Sequence, residues 1–125
     1  MEKNQENSKI LICEDLPFER NILKGILEKA NYKNIIESKS GPEAVEAYEK
    51  NAPDVVLLDI GMSQMSGLDT LAQLKKIDKN ACVIMLSTLS QQEQVIAALQ
   101  AGAVDFIMKP FRADHVLEAI AKSCK

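Results

Sequence analysis

The chain has 125 residues, 46% of them hydrophobic and 26% charged, with a formal net charge of −3. That suits one globular domain with a single good core and is not a disordered composition. Acids and bases are mixed, with no basic block for nucleic acid or a membrane surface, no apolar run long enough to span a bilayer, and a polar start, MEKNQENSK, without a signal segment. A cytoplasmic protein is expected. Three cysteines, Cys13, Cys82 and Cys124, show no C-x-x-C spacing. An odd number so placed reads as small buried hydrophobes in a reducing compartment, not as a disulfide framework or zinc site. The single histidine, His115, has charged neighbours and reads as a helix-surface residue.

The first eight residues read as a loose tail, leaving residues 9–125 as the domain. Lys9–Cys13 (KILIC) is a continuous apolar run, hence a buried strand. Pro17 opens a helix whose apolar face carries Phe18, Ile22, Leu23, Ile26 and Leu27. A short strand, Tyr32–Ser38, follows around Ile35 and Ile36. Ser40-Gly41-Pro42-Glu43 is a capping-box pattern that starts a helix with Ala44, Val45, Ala47 and Tyr48. Ala52-Pro53 ends it, and Asp54–Leu58 is the third strand. Leu68, Leu71, Ala72 and Leu74 mark the next helix, and Ala81–Leu86 the fourth strand. Gln91–Gln100 is a helix with Val95, Ile96 and Leu99, Ala103–Met108 a fifth strand, and the last helix carries Val116, Leu117, Ile120 and Ala121. Met62, Met65, Met85 and Met108 read as packing, and Lys75-Lys76 as a solvated helix face.

Strand and helix alternate five times. Continuous apolar strands are covered on both faces, so the expected class is α/β, a doubly wound parallel sheet with helices on each side. In such sheets chemistry lies outside the C-terminal strand ends. There the sequence places Glu14-Asp15, Asp59, Ser87-Thr88 and Lys109-Pro110. Any one acid at a strand end is most simply a helix cap or a solvated loop residue. The recurrence of ionisable groups at the strand ends is less simply explained that way.

The first strand is followed by EDLPFER, without the glycines that let a backbone approach a phosphate. Clustered carboxylates suit a hard cation instead, and magnesium commonly uses one or two of them while keeping waters and substrate oxygens. Three carboxylates balanced by Mg²⁺ and Lys109 leave the site near neutral and able to take a phosphoryl group. One carboxylate is then available as the nucleophile.

These residues resemble the receiver domains of bacterial two-component response regulators, from about Ser8 to Lys122. ILICEDLPFERNILKGIL resembles the family's first strand, acid pair and first helix; VVLLDIGMSQMSGLD its phosphorylation segment; VIMLSTLS and DFIMKPF its fourth and fifth strands. The resemblance implies a flavodoxin-like sheet of order 2-1-3-4-5 with five helices. It makes Asp59 the phosphoacceptor and Glu14, Asp15, Asp59 and the Gly61 carbonyl the Mg²⁺ ligands. It makes Ser87 the switch hydroxyl, Phe106 the switch aromatic and Lys109 the phosphate contact, with a cis bond before Pro110 that would aim the lysine into the site. It implies a phosphoacceptor switch that is not an enzyme but promotes its own phosphoryl transfer and dephosphorylation. A histidine kinase would be the donor. The surface of the fourth helix, fifth strand and last helix would carry the output. STLSQQEQVIAALQAGAVDFIMKPF further resembles the stand-alone chemotaxis members, whose partner is the flagellar motor switch.

Other readings remain open at this point: the receiver portion of a longer regulator, since AKSCK stands where a linker would begin; a phosphorelay intermediate; or a hydrolase, disfavoured because no second acid follows Asp59 closely. Two positions depart from the family pattern. Ser63 stands where proline is usual, so the loop from Gly61 to Gly67 is expected to be more mobile and to differ most from the family. Thr88 stands where alanine or glycine is usual, and its bulk is expected to slow attack at Asp59. Thr88→Ala should therefore speed phosphorylation by a small-molecule donor; an unchanged rate would contradict this.

Overall fold

The structure, a computed structural model, describes residues 7–123. Cys124 and the first six residues of the expected tail lie outside them. The elements are β1 (Lys9–Cys13), α1 (Pro17–Lys29), β2 (Asn34–Ser38), α2 (Gly41–Asn51), β3 (Val55–Asp59), α3 (Gly67–Ile77), β4 (Val83–Ser87), a 3-10 turn (Leu89–Gln91), α4 (Gln92–Gln100), β5 (Asp105–Met108) and α5 (Ala113–Ser123). All strand pairs are parallel, in the order β2-β1-β3-β4-β5. This is the expected doubly wound α/β sheet with five helices.

The two-residue period of a strand explains how one sheet builds two cores. Leu11, Cys13, Val56, Leu58, Val83 and Met85 pack on one face under α2, α3 and α4. Ile10, Ile12, Val55, Leu57, Ile84 and Leu86 pack on the other under α1 and α5. The three central strands are buried along nearly their whole length, as uninterrupted apolar runs require. Burying each Leu, Ile or Val side chain contributes about 1.5–3 kcal/mol against the entropy of ordering the chain.

Several boundaries and faces differ from the sequence reading. β2 starts at Asn34, β4 at Val83 and β5 at Asp105, because the residues before each belong to the preceding connection. Tyr32, for instance, donates its N–H to the Leu27 carbonyl and closes α1, with Asn31 at a left-handed φ of 70°. Gln91 belongs to the 3-10 turn, not to α4.

Five apolar residues on α1 cannot all face the sheet. At about 100° per residue, Phe18 and Leu27 lie roughly 180° apart. Leu23 and Leu27 take the buried side, leaving Phe18 76% exposed and Ile22 exposed too. By the same geometry Val95 and Ala98 are the buried face of α4, while Ile96 and Leu99 face outward. Ala72 and Ala121 are exposed.

The α2 cap is also modified. Ser40 accepts from the Glu43 N–H, but the Glu43 carboxylate reaches the Lys39 N–H, one residue before the cap. Lys75 is not a free solvated lysine: its Nζ donates to the Ala81 carbonyl at 2.7 Å and so braces the connection from α3 to β4. Cys13 is buried and Cys82 only half-buried, and neither forms a disulfide among the described residues. His115 is exposed on α5.

Gly25 sits mid-way along α1, and among the described residues nothing beyond its chain neighbours and its own helix backbone lies within 4 Å of where a Cβ would project. It lines an open groove of about 430 Å³ shared with Ile22, Ile26 and Leu117. Glycine in a helix interior costs about 0.5–1 kcal/mol relative to alanine. Gly25→Ala should therefore raise stability by about that amount, read as an increase of roughly 2–5 °C in Tm. A lower Tm would contradict the open packing at this position.

Candidate functional site

The backbone fixes where the charged side chains start. Pairing of β1 with β2 extends one residue past the strand, because the Glu14 N–H donates to the Ser38 carbonyl at 3.2 Å. Arg20 on α1 donates to the Glu14 carbonyl at 2.9 Å and pairs with Glu37 at 3.2 Å, locking this corner from the other side. Asp59 is the last residue of β3, opposite Leu86 of β4. Gly67 permits the tight return from that strand: a Cβ there would lie 2.4 Å from the Asp59 carbonyl oxygen and 2.6 Å from the Ile60 Cα. The Lys109 N–H donates to the Ser87 carbonyl at 2.8 Å, and the Lys109–Pro110 bond is cis.

Glu14, Asp15 and Asp59 converge, each offering an oxygen within 4.8 Å of the others'. Glu14 is 0% and Asp59 3% exposed, and Asp15 is half-buried. Lys109 enters from β5's end. Its Nζ lies 3.0 Å from Glu14 Oε2, 3.3 Å from Asp59 Oδ2 and 2.5 Å from Glu19 Oε2. Each acid of the cluster is also gripped by a loop donor. Glu14 Oε1 accepts from the Leu16 N–H at 3.2 Å, and Asp59 Oδ1 from the Gly61 N–H at 3.1 Å. Asp15 Oδ2 accepts from both the N–H and the hydroxyl of Ser63, each at 3.3 Å.

One ammonium does not satisfy this many carboxylates. Among the described residues, nothing gives the buried Glu14 Oε2 and Glu19 Oε2 an aligned hydrogen bond, and they meet the charge of Lys109 alone. Burial, and then the neighbouring Asp59, push the Glu14 carboxyl from its ordinary 4.5 up to about 8; Lys109 only partly opposes this. Burial is also the largest influence on Lys109 and works against its charge, but Glu19, Glu14 and Asp59 outweigh it and raise its pKa. Three hard oxygen donors, a buried oxygen without a hydrogen bond and a shortage of positive charge fit a small divalent cation such as Mg²⁺.

Ser87 and Phe106 make none of the hydrogen bonds or ion pairs of the acidic cluster described above. Ser87 is fully buried, and its hydroxyl makes a weak contact with Met108 Sδ at 3.8 Å rather than a bond within the acidic cluster. Phe106 is 40% exposed on the edge strand β5, not packed into the core. Thr88 caps the 3-10 turn: Gln91 Oε1 accepts its N–H at 2.8 Å, and its hydroxyl is 3.0 Å from that of Ser90. Gln91 Nε2 lies over Gly61, so this cap also leans on the loop that follows Asp59. Glu19, Arg20 and Gln91 escaped the sequence reading. The acid in the first turn of α1 was the available signal for Glu19, but such an acid ordinarily reads as a partner of the helix dipole.

Because Glu14 has a raised pKa in the folded chain, the folded state keeps a proton that the unfolded chain loses. Its contribution to stability is fully present below about pH 4.5 and is lost as pH rises towards about 8. A cation must displace that proton, so Mg²⁺ should bind more tightly as pH rises across this window, by up to about tenfold per unit. Thermal unfolding of the ion-free chain from pH 5 to 8 should show falling stability, relieved by saturating Mg²⁺. The same pH dependence with and without Mg²⁺ would contradict the assignment.

Comparison with known proteins agrees with this architecture. Residues 10–121 match the response regulator receiver domain family. The chain is 48% identical over 115 residues to the chemotaxis protein CheY of Bacillus subtilis, covering 92% of this chain and 96% of that protein. It is 45% identical over 117 residues to CheY of Thermotoga maritima, covering 94% and 98%. Among solved structures, it resembles the receiver domain of NtrX from Brucella abortus with a TM-score of 0.87, at 30% identity and covering 93% and 98% of the two chains. With its sheet order, its acidic strand ends and these matches, the chain belongs to the receiver-domain family of two-component response regulators.

Proposed function

We propose that the chain is a chemotaxis signalling switch that accepts a phosphoryl group on Asp59 from a histidine kinase. The observation that carries this reading is the meeting of Lys109 with the Asp59 carboxylate, Nζ to Oδ2 3.3 Å, inside a cluster that is short of positive charge. Glu14, Asp15 and Asp59, with the Gly61 carbonyl, would hold Mg²⁺. When bound, Mg²⁺ supplies charge neutralisation on the phosphoryl oxygens.

A carboxylate oxygen of Asp59 forms the new bond to phosphorus as the phosphorus–nitrogen bond of the donor phosphohistidine breaks. The departing imidazole keeps the bonding electron pair and takes its proton from solvent. The Gly61 N–H, already on Asp59 Oδ1, orients the nucleophile. Lys109 releases part of its pairing with Glu14 and Glu19 to hold a phosphoryl oxygen. The acyl phosphate that results adds charge where Asp59 alone stood before.

The output step follows from Ser87 and Phe106. Ser87 has only a weak sulfur contact to give up before its hydroxyl turns to the phosphoryl group. Phe106, exposed here, would leave solvent for the space vacated, and the pair would be a two-position element that phosphorylation biases. Ile96 and Leu99 on α4, with Val104 and Phe106 at β5, are exposed apolar residues suited to a protein partner on the α4–β5–α5 face. Similarity to the chemotaxis proteins CheY along nearly the whole of both chains supports the flagellar motor switch as that partner.

Incubation with Mg²⁺ and a small phosphodonor should add one phosphoryl mass to the wild-type chain, and none to Asp59→Asn or to wild type with the metal chelated. Equal mass gain in Asp59→Asn would place the acceptor elsewhere. The phosphorylated chain should then bind a motor-switch peptide more tightly than the unmodified one. Equal binding would remove the chemotaxis assignment while leaving the phosphoacceptor intact.

A further inference from the structure

We propose that Ser63 is a positioning residue for the cation site, acting through Asp15, and so sets the affinity of this chain for Mg²⁺. The inference rests on the cation-binding part of the functional reading above.

Glu14 and Asp59 are held by burial as well as by their loop donors. Asp15 is half-buried, sits one residue further from β1 and has less packing to fix its rotamer. Ser63 supplies what packing does not. Its backbone N–H and its hydroxyl both donate to Asp15 Oδ2 at 3.3 Å, across 48 residues of chain. Both donors go to the same oxygen, so Oδ1 is the one left for an ion.

With Asp15 held this way, the three carboxylates already lie within 4.8 Å of one another. The ion then meets a nearly assembled set of donors and does not have to order a free carboxylate. A proline in place of Ser63 has neither an N–H nor a hydroxyl. The departure from the family pattern thus replaces a stiff backbone with two hydrogen bonds that tie the loop directly to a cation ligand. The loop after Asp59 and the acid pair after β1 become one unit.

The test is a Mn²⁺ titration of the full chain followed by paramagnetic resonance, with Mg²⁺ as competitor and no phosphodonor present. Ser63→Ala keeps the N–H and loses the hydroxyl, and Ser63→Pro loses both. Removal of outer hydrogen bonds to metal ligands typically weakens binding about 10–100-fold. With half of the tether left, Ser63→Ala should weaken Mg²⁺ by about threefold, and Ser63→Pro by about tenfold or more. Ser63→Thr should restore the wild-type value, which an effect of general loop stability would not do. Equal affinities across the series, with wild type binding normally, would overturn the role of Ser63 alone. Tighter binding by Ser63→Pro would also overturn it, by showing that the serine competes with the ion. No binding by wild type would remove the cation reading and this inference together.

Discussion

The ammonium of Lys109, facing Glu14, Glu19 and Asp59, is the interaction on which the rest depends. It holds together the C-terminal ends of β1, β3 and β5 and the first turn of α1. Removing it would leave buried carboxylates uncompensated, a loss of about 3–5 kcal/mol for a pair of this kind. It is also insufficient by itself, because one positive charge faces too many acids, and burial with Asp59 still raises the Glu14 carboxyl to about 8 against it. Buried carboxylate oxygens and too little positive charge leave the cluster suited to a divalent cation. On the proposed function, that shortage of positive charge is what would favour a phosphoryl group with its metal at Asp59.

The fold serves this arrangement directly. The apolar alternation of β1, β3 and β4 keeps helices on both faces, which leaves only the strand ends open to chemistry. Gly67 lets α3 start hard against the end of β3, and the Thr88–Gln91 cap leans over Gly61 from the opposite loop. Asp59 is therefore nearly buried at the end of β3, with the Gly61 N–H on its carboxylate and the Thr88–Gln91 cap leaning over that loop.

Much of this was readable from residues alone. The continuous run VVLLD announced a buried strand with a charged end, and EDLPFER without glycine argued against direct phosphate binding. The sheet order and the grouping of Glu14, Asp15, Asp59 and Lys109 followed from the alternation and the family resemblance. What stayed hidden depends on side-chain direction in three dimensions. The rotation of α1 exposes Phe18, and a first-turn acid, Glu19, turned out to be the lysine's second partner. Ser63 was legible as a departure, but not as a donor to an acid 48 residues away. The turn of Ser87 towards Met108 likewise depends on the cross-strand register of β4 and β5.

The central claim is that Lys109 serves the incoming phosphoryl group and not only the resting acids. Lys109→Met, with its fold checked by circular dichroism in the presence of Mg²⁺, separates the two roles. Loss of a positive charge beside the acids should leave Mg²⁺ affinity equal or stronger, while phosphoryl mass gain from a small donor falls below about 1% of the wild-type rate, the scale expected for loss of a charged stabilising donor. Retention of the wild-type phosphorylation rate in Lys109→Met would contradict the account.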